Sequence, residues 1–167
     1  LIHSFGSAGT GGFSNYADSV GHFDSAYVDG VITVFMILFG VNFSLYFLLL
    51  IKEYKAVWKN EELRVYFGII AAATAVITIN ILPQYGSVLK SFRYAVFQVG
   101  TIITTTGYAT ADFNVWPMLS KCVLIALMII GACASSTGGG IKVSRFMIAV
   151  KSIKREVCLL YTSDAAD

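Results

Sequence analysis

The groups best placed to do chemistry in this chain are main-chain carbonyls, and they sit in Thr104-Thr105-Thr106-Gly107-Tyr108-Ala109-Thr110. Three threonines stiffen χ1 and favour extended backbone, while the glycine permits dihedrals that other residues resist. Such a segment can aim successive carbonyl oxygens at one point, where a ring of them replaces the hydration shell of a cation. The same residues also suit a Thr/Gly-rich turn between two buried helices. The stretch alone does not decide between the two.

Other chemistries find less support. Cys122, Cys133 and Cys158 are odd in number and far apart, and His3 and His22 do not complete a metal-ligand spacing with them. They are expected to be reduced, packed thiols. Ser136-Thr137-Gly138-Gly139-Gly140-Ile141-Lys142 loosely matches a phosphate-binding loop, but Ile141 separates glycine from lysine and no Ser or Thr follows Lys142. No histidine or carboxylate has an evident route to Ser135 or Ser136 as a nucleophile. The expectation is a protein that is not an enzyme and holds no tightly bound cofactor.

Elements that could position these carbonyls must cross a membrane. The chain is 56% hydrophobic and 13% charged, with mean hydropathy +0.72, against about 25% charged residues in ordinary soluble domains. Its apolar runs reach the roughly 20 residues that span a bilayer, and a net charge of +2 points to no nucleic-acid partner. Gly30 to Ile51 is uncharged and reads as one transmembrane helix, with Asn42 and Ser44 expected to bond between helices. Asn15 to Asp29 carries acids without a base and reads as an outer loop. Lys52 to Arg64 gathers basic residues and reads as cytoplasmic. Val65 to Leu82 returns outward, ending near Pro83, with Asn80 and Gln84 satisfied by water or the next loop. Tyr85 to Arg93 reads as an outer connection in which Lys90 and Arg93 depart from the charge bias.

Tyr94 to Ile103 is helical in pattern but about half a bilayer long. A half-length helix followed by extended Thr/Gly backbone predicts a re-entrant loop, tolerated at membrane depth only where it is buried or lines water. Its C-terminus would present partial negative charge to a cation. Trp116-Pro117 opens the next helix, which Gly131 to Gly140 interrupts about 22 Å along, inside the bilayer. Each of its three consecutive glycines costs a helix about 1 kcal/mol relative to alanine. Ile141 to Val157 then resumes a helix with Lys142, Arg145, Lys151, Lys154 and Arg155 on the cytoplasmic side. The tail from Cys158 to Asp167 fits neither helix nor span, is similar to translated read-through, and is set aside as non-native. With no initiator methionine, the chain is expected to be a piece of a longer one.

Gly12-Phe13, closing Ala8-Gly9-Thr10-Gly11-Gly12-Phe13-Ser14, repeats the Gly–aromatic pair Gly107-Tyr108 about 95 residues earlier. Helix, pore loop, helix is the unit of potassium-channel-type pores, whose filter sequence is Thr-Val-Gly-Tyr-Gly. Three motifs make the chain resemble the Trk/Ktr/HKT superfamily of potassium transporters, nearest the bacterial TrkH-type subunit. They are Gly11-Gly12-Phe13-Ser14 running on to Gly21-His22-Phe23-Asp24-Ser25, Thr105-Thr106-Gly107-Tyr108 with Trp116-Pro117, and Gly131 through Gly140 with Ile141, Lys142, Val143 and Arg145.

The resemblance implies an all-α polytopic membrane fold of repeated helix–pore loop–helix units, incomplete here. Residues 1–64 would end a second repeat, 65–157 would form the third, and 158–167 the tail. It implies a potassium filter built from the carbonyls of Thr10, Gly11, Gly12 and Phe13 and of Thr105, Thr106, Gly107 and Tyr108. It implies an intramembrane gate at Ala134, Ser135, Ser136, Thr137, Gly138, Gly139 and Gly140, with Ser136 stiffening a position where many relatives have glycine. Potassium would be the transported substrate in a bacterial cytoplasmic (inner) membrane. Each protomer of a homodimer would carry its own pore, controlled by a cytosolic nucleotide-binding ring of the TrkA type near Lys142 to Arg155. A sodium-permeable relative and a non-transporting membrane scaffold are the alternatives.

Overall fold

Helices follow one another along residues 1–164, the part of the chain described by this computed structural model. They are α1 (Ile2–Ala8), α2 (Ala26–Phe39), α3 (Phe43–Leu50), α4 (Tyr54–Lys59), α5 (Glu61–Tyr85), α6 (Val88–Ile103), α7 (Met118–Ile130) and α8 (Val143–Asp164). Short 3-10 turns at Ser19–Phe23 and Phe113–Val115 complete the set, with no strand among the described residues. The fold is all-α, as expected.

The hub is α5. Asn60 caps it, its side-chain oxygen accepting from Leu63 N at 2.9 Å, and Glu61 and Glu62 place acidic charge at the positive end of the helix dipole. Tyr66, Ile70, Ile77 and Ile81 face inward from it. They meet Ala95, Val99 and Ile103 of α6, Leu124 and Leu127 of α7, and Val143 of α8 in one core. At 25 residues α5 is long and apolar enough to cross a membrane. It outruns the expected span at both ends: Asn60 starts it before Val65, and it runs on through Pro83, which has no N–H for the Ile79 carbonyl, until Gly86 (φ 65°) closes it. Val34, Ile79, Ile125 and Met128 stay exposed, which suits walls facing lipid.

Three expectations change. Gly30 to Ile51 is not one helix but α2 and α3, bent by 91°. Gly40 sits where a side chain would meet the Tyr66 hydroxyl and Thr104 Cγ2, and Asn42 caps α3 by accepting from Ser44 N at 2.9 Å. Its other partner, Glu62 at 3.4 Å, does lie on another helix. The outer loop ends at Ser25, so Asp29 lies in the first turn of α2 and is buried. The short helix starts at Val88, not Tyr94, because the basic residues read as a connection lie on its first turns. At 16 residues it is about 24 Å long, still short of a bilayer crossing.

Smaller differences follow. Asn80 and Gln84 are satisfied by the chain around α7, through Ser120 Oγ at 2.7 Å and the Val115 carbonyl at 3.2 Å. Of the cysteines, Cys133 is packed, whereas Cys122 and Cys158 are exposed. The tail expected to leave the basic helix instead continues α8 to Asp164, and residues 165–167 lie outside the described residues.

Candidate functional site

Two short helices each end in a Thr/Gly segment. Thr10–Phe13 follows α1, and Thr105–Tyr108 follows α6. The two are built alike. Gly11 N donates to the Gly6 carbonyl at 2.9 Å, and Thr106 N donates to the Thr101 carbonyl at the same distance and the same sequence offset. Positive φ recurs at the first and third positions: Thr10 (49°) and Gly12 (64°), then Thr105 (57°) and Gly107 (89°). Alternating the hand of successive residues gathers their peptide groups on one side. Threonine in that region is an outlier for a β-branched residue, held only where its surroundings over-determine it.

Those surroundings are visible. Thr104, fully buried, donates its hydroxyl to the Gly100 carbonyl at 2.7 Å and meets the Thr106 hydroxyl at 2.8 Å. The three threonines thus divide the work: Thr104 and Thr106 finish the helix, and Thr105 is left to reach outward. The segments approach each other directly. A Cβ on Gly12 would overlap the Thr106 carbonyl oxygen and lie 3.3 Å from the Gly107 carbonyl carbon. Tyr108 is buried behind the first segment, its hydroxyl 3.3 Å from the His3 carbonyl and 3.4 Å from the Phe13 carbonyl. Gly107 has open space around it, and Phe13 is 77% exposed.

The Gly-rich loop between α7 and α8 closes on itself. Gly131 (φ 70°) and Gly140 (φ 81°) pass so near that a Cβ on Gly140 would lie 2.7 Å from Gly131 Cα. Ile141 N donates to the Ile129 carbonyl at 3.2 Å and Val143 N to the Ala132 carbonyl at 3.0 Å. Its tip touches both Thr/Gly segments. The Thr10 hydroxyl is shared between the Gly9 carbonyl at 2.8 Å and the Thr137 carbonyl at 3.0 Å, and Gly139 N donates to the Thr105 hydroxyl at 2.6 Å. Gly138 approaches the Thr104 carbonyl so closely that a Cβ would come within 3.0 Å of its oxygen. The Ser136 hydroxyl donates to the Cys133 carbonyl at 2.6 Å, and Lys142 bonds the Gly138 carbonyl.

Sequence reasoning missed the residue that anchors the loop's first turn. Glu62 accepts from Ala134 N at 2.6 Å. Beside it, Cys133 N donates to the Gly40 carbonyl at 3.0 Å and Phe43 N to the Ser135 carbonyl at 3.2 Å. The break between α2 and α3 is thus the seat of the loop. Glu62 lay inside a mixed-charge stretch and gave no local signal. Removing the charged acceptor of a half-buried amide costs about 1–3 kcal/mol. In Glu62→Ala, hydrogen exchange at the Ala134 amide is therefore expected to speed up by roughly 5- to 150-fold, while Glu62→Gln, which keeps an acceptor, stays within a few-fold of the parent. Equal exchange in all three would remove Glu62 from this role.

Thr/Gly segments built on one pattern, each following a helix too short to cross a bilayer and set beside the long apolar α5, define an all-α membrane protein of the pore-loop class. The family described as TrkH, cation transport protein, matches residues 1–160, and this chain belongs to that family. It is 36% identical over 158 residues to the Trk system potassium uptake protein TrkH of Salmonella typhimurium, covering 93% of this chain and 33% of that protein. It is 32% identical over 164 residues to the Trk system potassium uptake protein TrkG of Escherichia coli, covering 94% of this chain and 33% of that one. The crystal structure of the potassium transporter TrkH from Vibrio parahaemolyticus matches with a TM-score of 0.89 at 34% identity, over 95% of this chain and 35% of that chain. The chain spans about a third of the length of the curated relatives it matches.

Proposed function

We propose that this chain is part of a potassium-uptake protein in which Thr10–Phe13 and Thr105–Tyr108 supply two quarters of a carbonyl-lined filter. Ala134–Gly140 is the gate beneath it. The observation that carries this reading is the contact of one closed, glycine-rich loop with repeat-equivalent threonines of both segments, Thr10 with Thr137 and Thr105 with Gly139. A plug that touches each wall of a pore at the same level blocks it with few bonds, and few bonds are easily released. The names of the relatives, potassium uptake proteins, supply the cation.

In this reading residues 1–64 end one repeat and 65–157 form the next. Two loops cannot enclose an ion. Phe13, exposed at the position where Tyr108 is covered by the preceding segment, is the surface on which a further loop would close the ring. The protein would be a multi-pass component of a bacterial inner membrane, acting as a homodimer. A TrkA-type nucleotide-binding ring would meet the cytoplasmic side, where α8 carries Lys151, Lys154 and Arg155 in exposed positions.

The test uses the complete reading frame that carries this chain, expressed in a bacterium deficient in potassium uptake. Gly107 holds φ 89° with nothing within contact of a Cβ, so Gly107→Ser acts through backbone strain, about 1–2 kcal/mol for an L-residue in that region. Growth at low potassium is expected to fall and sodium entry to rise, with K⁺/Na⁺ selectivity reduced roughly tenfold by a strain of that size. Unchanged growth with unchanged sodium exclusion would remove Thr105–Tyr108 from the filter.

A further inference from the structure

The helix that carries Thr105–Tyr108 packs along α2, and the two run in the same direction. At one end of their contact Gly40 meets Thr104, and midway Gly100 faces Thr33 and Ile37, a Cβ there lying 3.5 Å from Ile37 Cγ1. At the other end the contact is ionic. Arg93 Nε donates to Asp29 Oδ2 at 2.8 Å, and its guanidinium also stands 3.8 Å from Asp24. The three side chains are 25%, 3% and 90% exposed in that order, so the Asp29 pair is the buried one and Asp24 is a solvated neighbour. Asp29 Oδ1 has no partner. Arg93 is the group that balances that carboxylate.

One helical turn beyond Arg93 lies Phe97. It is fully buried in a second, smaller core with Val20, Met36 and Tyr108. Val20 belongs to the 3-10 turn whose Gly21 N donates to the Ala109 carbonyl at 3.1 Å, at the outer end of the second Thr/Gly segment. The ion pair therefore sits one turn from the packing that holds Tyr108. Any slide of α6 along α2 moves Phe97, and Phe97 moves the tyrosine that ends the carbonyl row.

We propose that Arg93 is a specificity-determining positioning residue: by pairing with the buried Asp29 carboxylate it fixes α6 against α2, and so sets the spacing of the Thr105–Tyr108 carbonyls. This rests on the filter reading above. Discrimination between cations of different radius depends on the number and placement of carbonyl dipoles, so a small displacement is read as selectivity before it is read as loss of fold. A buried carboxylate deprived of its partner draws water or neighbours toward itself. The cavity between α2 and α6 at this end, about 870 Å³ and lined by Asp29, Arg93, Lys90, Thr33 and Phe92 among others, leaves room for that movement.

The experiment compares Arg93→Gln, Arg93→Lys, the double variant Asp29→Asn/Arg93→Gln, and Gly107→Ser in the complete reading frame. Rb⁺ and Na⁺ uptake are each normalised to the amount of protein in the membrane. Arg93→Gln is expected to lower the Rb⁺/Na⁺ ratio about tenfold. The double variant, which removes both charges together, should regain at least half of that change on a logarithmic scale. Arg93→Lys, which keeps the charge but loses the planar fork, should fall between. A merely structural role would lower protein amount and both fluxes together and leave the ratio unmoved, and that result in Arg93→Gln overturns the proposal. If Arg93→Gln does not reach the membrane, Arg93→Lys decides, an unchanged ratio overturning it. A Gly107→Ser ratio equal to the parent's sinks the filter reading itself; a lowered Gly107→Ser ratio with unmoved Arg93 variants sinks only this inference.

Discussion

Gly12→Ala is expected to abolish potassium uptake, and to do so more completely than Gly107→Ala. The two glycines hold equivalent places in the repeated segments and similar backbone, φ 64° and 89°. Each substitution therefore carries about the same penalty for a left-handed L-residue, roughly 1–2 kcal/mol. Their surroundings differ. A methyl group at Gly12 falls on the Thr106 carbonyl oxygen and is 3.2 Å from its carbon, all main chain, whereas at Gly107 it meets nothing. Main chain on both sides cannot rotate away as a side-chain tip can, so one segment must shift, and the carbonyls proposed to face the ion shift with it. Each 1.4 kcal/mol lost is tenfold in binding. Uptake in the Gly12 variant should fall by about a hundredfold or more, against roughly tenfold or less at Gly107. Rubidium uptake per unit of membrane protein measures both. The reverse order would mean that the contact between the two segments does not bear on transport.

Shortening the Gly-rich loop should have the opposite sign. Deleting Thr137 to Gly139 removes the Thr137 carbonyl and the Gly139 amide that engage Thr10 and Thr105. It leaves the neck formed by Gly131, Gly140 and the Ile141 and Val143 amide bonds. Besides the Thr137 hydroxyl's bond to the Phe39 carbonyl and the Gly138 carbonyl's bond from Lys142, the deletion removes two ordinary hydrogen bonds to the Thr/Gly segments, each worth about 0.5–1.5 kcal/mol. Their loss together corresponds to a shift of about 5- to 150-fold between plugged and unplugged states. Flux without the cytosolic regulator should rise within that range. Thr105→Val, which keeps the β-branched shape and removes the acceptor for Gly139, should show a smaller rise in the same direction. Lower flux in well-folded protein would count against a gate.

Much of this arrangement is legible in the sequence. Thr/Gly composition marked the two segments and the interrupting loop, and the short apolar stretch before Thr104 marked a helix that does not cross. What residue types could not convey was handedness. Nothing in Thr-Thr-Gly or Thr-Gly-Gly distinguishes a turn from the repeated pattern of positive φ at Thr10, Gly12, Thr105 and Gly107. The bend at Gly40 was hidden for a related reason. An interior glycine in a 22-residue uncharged run looks harmless until Tyr66 and Thr104 occupy the space beside it. Charge carried a signal that the outer-connection reading set aside. Tyr85 to Arg93 reads as an outer connection in spite of Lys90 and Arg93, which depart from the charge bias, but Arg93 lies on α6, where a buried acid, Asp29, stands opposite. A basic residue at odds with the charge bias is thus a reason to look for its partner. Glu62 had no such oddity, since its value comes from a bond to Ala134 main chain 72 positions away.

The most direct measurement is anomalous X-ray scattering from crystals of the complete transporter grown with thallium(I), which substitutes for potassium and scatters strongly. Anomalous peaks are expected in the space faced by the carbonyls of Thr10–Phe13 and Thr105–Tyr108, above the tip of the Thr137–Gly139 loop. Peaks confined to other parts of the protein, with that space empty of the ion, would contradict the assignment of these two segments to the filter.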